Sequence, residues 1–376
     1  MDASPAQTVA TRSANTQAAT PIIAIPVRNE EGLSGACLTA IGRQSNAPRP
    51  HVLLLLNNTT DRTAWVAREA AACLRLGLTI LEHDFPPAEQ TAGHARRLAM
   101  QLAANRAQPG GVLLCTDADG RVAPDWLAAN LFHIRRGTDA VAGRALIDAA
   151  DAAAIPAALH EADAREVAYA TILDQIACLL DPDPADPWPR HTEHSGASLC
   201  VTLDAYHRCG GIPAVSLGED RAFVAALRGI DARIRHAPEV VVTVSGRVVG
   251  RARGGMADTI RRRLTAPDPF IDDALEPALD RVRRLRVRRR LRNARVDGGL
   301  APDIAAELCW PVRRIEAALA LPSFGAAWAA LEETCTALAP RPVPTEALEA
   351  EMAFAVRLRD GLLRAALPGE VLEAAD

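Results

Sequence analysis

The chain has 376 residues, a net charge of −4 at pH 7, 49% hydrophobic and 23% charged residues. That length suits one large domain with an appendage, or two domains, of ordinary globular composition. The acidic balance excludes a whole-chain nucleic-acid binder, and no run of about 18 apolar residues is present to span a bilayer.

Aromatic residues make up only 3%, so the core is built mostly from Ala, Leu, Val and Ile, and the chain has no Lys. Arg, its replacement, suits fork-like phosphate contacts. The eight cysteines are scattered and form no Cys-x-x-Cys pair. Neither a zinc site nor a redox motif is indicated, and they read as small buried hydrophobes of a reducing compartment, the cytoplasm. Residues 1–20 are polar and lack the apolar centre of a signal peptide, so a disordered tail is expected there.

Residues 21–27 form an apolar run, a buried strand that passes into Arg28-Asn29-Glu30-Glu31 and then a helix to about Arg43. A second strand, 51–56, ends in the polar stretch 57–63, which holds several helix N-cap candidates. Helix to about Leu76, a short strand at 78–81, a loop with Pro86-Pro87, and helix from Gly93 to Arg106 follow. Val112 to Cys115 is a strand ending in Asp117-Ala118-Asp119-Gly120. This alternation implies a largely parallel sheet with right-handed crossovers. Helix 124–136, strand 139–147 and an Ala-rich helical stretch 149–180 come next. The Pro-rich segment 181–189 cannot be regular. A loop from His191 enters a strand near Val201. Glu219-Asp220 opens a helix to about Arg228, and the last strand material lies at 234 and 239–244. From Met256 onward the chain reads as helical or irregular, which places a boundary near 255.

Three strand-end polar clusters fall on one carboxyl edge: 28–30, 57–61 and Asp117 with Asp119. Open α/β sheets bind ligands at that edge. Two acids there suit a hard divalent cation that also holds a diphosphate. The competing reading is a helix-capping Asp117 with Asp119 in solvent. Asp220 is either a helix N-cap or a carboxylate base for an acceptor hydroxyl. Arg247, Arg251 and Arg253 lie among glycines, a pairing that allows guanidinium and close backbone contact with phosphate.

In this order, Ile-Pro-Val-Arg-Asn-Glu-Glu, Asn-Asn-Thr-Thr-Asp-Arg-Thr, Ala-Arg-Arg-Leu-Ala, Thr-Asp-Ala-Asp, Gly-Ala-Ser-Leu and Gly-Glu-Asp-Arg resemble the family 2 glycosyltransferases of the GT-A fold. The resemblance covers residues 21 to about 255. It implies a Rossmann-like, mostly parallel sheet flanked by helices; read from the residues, 149–195 is an acceptor-side helical insertion and 256–376 a helical C-terminal extension. It implies an inverting transfer from a nucleotide-sugar to a hydroxyl acceptor, a small molecule, glycan or lipid-linked group, helped by Mn²⁺ or Mg²⁺. By the resemblance Pro26, Arg28 and Glu30 line the nucleotide pocket, Asp61 closes its base end, and Arg96 sits near the donor phosphates or ribose. Asp117 contacts ribose or the metal and Asp119 binds the metal. Gly196, Ala197 and Ser198 flank the acceptor, Asp220 is the base and Glu219 supports the acceptor.

Two departures stand out. Asn57-Asn58 replaces an Asp-Asp pair of many relatives, with Asn58 on the donor side, and Val244-Ser245-Gly246 stands where many carry a metal-binding His. His236 reads as structural. His191 and His194 are candidates for approaching the site. A nucleotidyltransferase would use similar carboxylates but wants a basic, Gly-rich loop after the first strand, where this chain has Asn29-Glu30-Glu31. A third reading makes the Arg-dense run 281–290 a contact for anionic lipid headgroups or nucleic acid; the competing reading is a helix face paired with nearby acids.

Overall fold

The computed structural model describes residues 19–247, 250, 256–266, 268–272, 275–297 and 302–366. The expected tail falls almost wholly outside them, as do Arg251 and Arg253. In chain order the first half reads β1 (Ile22–Val27), α1 (Ser34–Gly42), β2 (His51–Asn57), α2 (Thr63–Leu74), β3 (Gly77–His83), α3 (Ala92–Ala104), β4 (Val112–Cys115) and β5 (Arg121–Val122). It continues with α4 (Trp126–Arg135), β6 (Ala140–Ile147), α5 (Ala149–Ala152), α6 (Ala157–Leu180), β7 (Leu199–Thr202), α7 (Leu203–Arg208), α8 (Glu219–Gly229) and β8 (Ile234–Val244).

β1, β2 and β4 are nearly continuous apolar runs because both faces of the sheet are covered. Alternation sends Ile23, Ile25, Val52 and Leu54 into one core with α1, α2 and α4. Ile22, Ala24, Leu53 and Leu55 go into the other with α3, α7 and α8. Each of the Ile, Leu and Val side chains contributes about 1.5–3 kcal/mol on burial. Pro26 is tolerated inside β1 because the β4 partner ends at Ala24.

The sheet order is β3-β2-β1-β4-β7-β6-β8-β5. β3, β2, β1 and β4 are mutually parallel, as alternation predicts. β7 runs antiparallel to both β4 and β6, and β5 antiparallel to β8. These reversals escape a reading by alternation. Leu199 pairs with Cys115, so the segment just before β7 lies at the same edge as the carboxyl ends of β1, β2 and β4.

The rest is helical: α9 (Met256–Thr265), α10 (Ala278–Asp297), α11 (Pro302–Leu308), α12 (Val312–Leu319), α13 (Phe324–Thr334) and α14 (Leu348–Ala366). Tyr169, Ile172 and Ile176 of α6 share one core with Val282 of α10 and Leu348 and Ala355 of α14. α13 docks on the end of α8, where the Asp231 carboxylate accepts the N–H groups of Phe324 at 2.8 Å and Gly325 at 2.6 Å. A Cβ on Gly325 would lie 1.7 Å from the Arg228 carbonyl oxygen, so this close approach requires glycine. Among the described residues no helix is long and apolar enough to cross a membrane.

Candidate active site

The loops after β1 and β2 are stitched together by their own polar groups. Asn29 adopts φ 52°, a left-handed conformation Asn tolerates, and its Oδ1 accepts the Thr60 N–H at 2.8 Å. Asp61 accepts the Thr63 N–H at 3.0 Å and the Glu31 N–H at 3.1 Å. Asn58 pairs with both backbone groups of Phe85, at 3.1 and 3.0 Å. Arg28 donates to Gln90 at 3.1 Å. Asn58 and Asp61 thus sit at the expected edge, with side chains that shape its loops.

Beside them the acids gather. Glu30 is 5% exposed, and Arg247 grips it through two nitrogens, at 3.0 and 2.5 Å. The same guanidinium reaches Asp119 at 3.1 Å. Arg247, the first of the three loop arginines, therefore bridges two strand-end carboxylates. Burial first, then the charges of Asp117 and Glu30, push the Asp119 carboxyl up from 3.8 to about 6 against the pull of Arg247.

Asp117 belongs to a second cluster centred on Arg96, which is 5% exposed. Arg96 Nη2 donates to Asp117 Oδ1 at 2.9 Å, Nε to Glu219 Oε1 at 2.9 Å, and Nη1 to the Gly196 carbonyl at 2.8 Å. The Gly196 N–H in turn donates to Asp220 Oδ2 at 3.0 Å. Asp220 stands at the start of α8, where its Oδ1 also accepts the Arg221 N–H at 2.8 Å. Burial, then neighbouring Glu219, raise its carboxyl above 3.8, while Arg96 and these two N–H groups oppose the rise. A half-buried carboxylate of raised basicity is the setting a general base needs.

Every described candidate but three lies at this edge among the clusters or loops above. Pro26 sits within β1, partly buried. Ala197 and Ser198 are buried at 2% and 1% exposure. Ser198 Oγ accepts the Trp126 indole N–H at 2.8 Å in the core, so of that trio Gly196 alone touches another site residue. Arg96, expected near the donor phosphates or ribose, has a protein partner on each of its nitrogens. Sequence reading missed Gln90, the Arg247–acid pairing and the hub at Arg96. The histidines form a separate chain: His194 Nε2 and His236 Nε2 lie 3.1 Å apart, and His236 Nδ1 meets Asp186 at 2.7 Å.

Among the described residues the two clusters bring five carboxylates (Glu30, Asp117, Asp119, Glu219, Asp220) around two guanidiniums, Arg96 and Arg247. Among the described residues no three His, Cys, Asp or Glu side chains could hold a metal by themselves. Mg²⁺-type sites instead use one or two carboxylates completed by substrate phosphates. The hard oxygen donors, the excess negative charge and the raised Asp119 fit a cation of that kind, held by Asp119.

Residues 22–173 match the family model described as Glycosyl transferase family 2. No curated protein matches the chain. Among solved structures it is similar to the mannosyltransferase PcManGT from Pyrobaculum calidifontis in complex with GDP-Man and Mn²⁺. Identity is 20% over 93% of this chain and 87% of that one, with a TM-score of 0.43. It is also similar to S. aureus TarS 1-349 in complex with UDP, at 12% identity over 94% of each chain and a TM-score of 0.44. A third is glucosyl-3-phosphoglycerate synthase from Mycobacterium tuberculosis in complex with Mn²⁺, uridine-diphosphate and phosphoglyceric acid. Identity there is 14%, over 65% of this chain and 77% of that one, with a TM-score of 0.38.

Proposed function

We propose, from the premise that residues 22–173 carry a glycosyl transferase family 2 domain, that the chain transfers a sugar from a nucleotide-diphosphate donor to an acceptor hydroxyl with inversion. The observation that carries this reading is the convergence at one sheet edge of Asp119, pushed to about 6, and Asp220, joined through Asp117, Arg96 and Gly196.

Asp220 takes the acceptor proton as the hydroxyl oxygen attacks the anomeric carbon from the face opposite the leaving nucleotide. Its raised basicity serves that step, and the Gly196 and Arg221 N–H groups aim its two oxygens. Glu219, fixed by Arg96, supports the acceptor side. Glu30 and Arg28 face the nucleotide, and Arg247 is the guanidinium within reach of the diphosphate. A divalent cation at Asp119 would supply Lewis-acid stabilisation of the departing diphosphate. A single displacement needs no protein nucleophile. The thiol nearest the hub agrees: burial pushes Cys115 up to about 11, although Arg96 opposes it, so it is not a ready thiolate.

The test is a thermal-shift panel of UDP-, GDP- and dTDP-sugars with and without Mn²⁺ or Mg²⁺, followed by transfer assays on donors that bind. A donor that binds the native state raises the melting temperature by mass action. The expected result is a cation-dependent shift with one nucleotide class. Absence of any shift across the panel overturns the reading.

A further inference from the structure

We propose that Arg96 is a positioning residue, which ties the donor side of the site to its base by holding Asp117 and the Gly196 peptide with one guanidinium. The inference rests on the transferase reading above. Three elements that are distant in sequence meet on this side chain: β4 through Asp117, the segment before β7 through Gly196, and α8 through Glu219.

The surroundings are cleared for this contact. A Cβ on Gly196 would stand 2.4 Å from Arg96 Cζ, and one on Gly93 would stand 2.7 Å from the Val215 carbonyl oxygen and 3.2 Å from Glu219 Oε2. Two glycines therefore give the guanidinium and its Glu219 partner their room. The Gly196 carbonyl also accepts the Cys115 thiol at 3.1 Å. That peptide is thus fixed on its oxygen side by Arg96 and Cys115, and presents its N–H to Asp220. A buried arginine needs a compensating carboxylate to avoid the cost of an unpaired charge. Glu219 alone would meet that need. The further bonds to Asp117 and to Gly196 reach the two groups that a transfer must hold in register.

Losing the fork has a definite electrostatic sign. The charged groups acting on Asp220 are Glu219 beside it on α8 and Arg96 from α3, while Arg221 turns its guanidinium to Asp272 at 2.8 Å. The segment before Gly196 brings His194, which burial and then Arg228 keep neutral. Arg96, with the Arg221 and Gly196 N–H groups, favours the ionised form of Asp220. Without Arg96 the peptide keeps only the Cys115 thiol on its oxygen side, its N–H is held less firmly, and Asp220 should hold its proton to higher pH.

The experiment compares wild type, Arg96→Lys and Gly196→Ala. The readouts are donor dissociation constants by calorimetry, kcat and KM against pH, and the Asp220 ionisation by carboxyl carbon NMR without substrate. Lys keeps the charge but cannot fork to three acceptors. The expected result for Arg96→Lys is a kcat lowered about 10–100-fold. The acid limb and the Asp220 titration should both move up by about one pH unit, with donor affinity within about threefold of wild type. An unmoved Asp220 titration in a folded, active variant reduces Arg96 to a structural pair and overturns the proposal. So does a donor affinity weakened more than about tenfold with an unmoved titration, which would make Arg96 a donor ligand. If Arg96→Lys does not fold, Gly196→Ala decides, since a Cβ there would stand 2.4 Å from Arg96 Cζ and push the fork aside with every charge kept; a wild-type Asp220 titration there overturns the proposal. A wild type that binds no nucleotide-sugar refutes the transferase reading instead, while the NMR titration still reports on Arg96.

Discussion

A carboxylate that must accept a proton gains by being partly desolvated, and Asp220 meets that condition at the mouth of α8. Asp220→Asn keeps the size and near-equal capping ability but cannot take the proton. We expect kcat to fall about 10²–10⁴-fold with the donor dissociation constant unchanged. A variant that keeps more than about a tenth of the wild-type rate would remove the base assignment. The stability sign also follows. An acid whose folded pKa is raised holds its proton more firmly folded than unfolded, so its ionisation at neutral pH costs stability. The Asn variant should therefore melt no lower than wild type at pH 7.5. Arg247 makes a second case, because its guanidinium bridges Glu30 and Asp119. Arg247→Gln should bind Mn²⁺ alone more tightly, as a competing cation is gone, and bind nucleoside diphosphate less tightly, by roughly 1.5–3 kcal/mol for a lost charge-assisted contact. Unchanged values for both in calorimetry would reduce Arg247 to a loop staple.

At the scale of elements, the dense basic run on α10 is spent largely on the chain's own acids. Arg284 pairs with Glu276 at 2.7 Å and with Glu332, and Arg290 pairs with Asp303 and with Glu307 at 2.6 Å. Arg288 and Arg292 both close on Asp181, at 2.7 Å each, and also lie over the Phe324 ring. Asp181 ends α6 with a side chain only 1% exposed, so this clamp fixes α6 to α10. Asp181→Ala should destabilise the fold by about 2–3 kcal/mol. That is below the 3–5 typical of fully buried pairs, because the guanidiniums are 36% and 34% exposed. Denaturant unfolding measures this, and a loss under about 0.5 kcal/mol would mean the clamp is a surface pair of the usual small worth. The fate of the basic run also explains why charge density along a helix is a poor guide to an anionic partner.

Across the whole molecule, acid should be more damaging than the carboxylates alone would make it. Burial, followed by nearby His236 and Arg144, lowers His191 to about 4. Its ring is satisfied in the neutral form, facing the Ala142 carbonyl at 3.2 Å and the Glu193 N–H at 3.1 Å. Burial and then Arg228 likewise lower His194, to about 2. The unfolded rings take a proton near 6.5 and the folded rings refuse it. Stability is therefore lost as pH falls below 6.5, by up to about 1.4 kcal/mol per pH unit for each ring. For His191 the loss ends near its folded value of about 4. Denaturant midpoints between pH 7.5 and 5 should show this slope, and His194→Gln should flatten it. An unchanged slope in the variant would assign the acid sensitivity elsewhere.

What the sequence determined by itself is what burial on short length scales controls. Continuous apolar runs such as 22–27 and 112–115 read as strands covered on both faces, because they are too short for helices. Their polar ends at Glu30, Asp61 and Asp117 mark the edge of the parallel half-sheet because parallel strands end together. The start of α8 was legible at Gly218-Glu219 for the same local reason. Only the tertiary structure decided that β7 runs backwards, since an antiparallel strand of Leu-Cys-Val-Thr has the same local signature as a parallel one. That reversal delivers Gly196 to the carboxyl edge. It likewise decided that Arg96, one arginine among 42 basic residues, is the buried hub, because a charge on a helix face looks alike in sequence whether it meets water or three partners. Periodicity reports which side of an element is buried; which distant groups meet there depends on how whole elements pack.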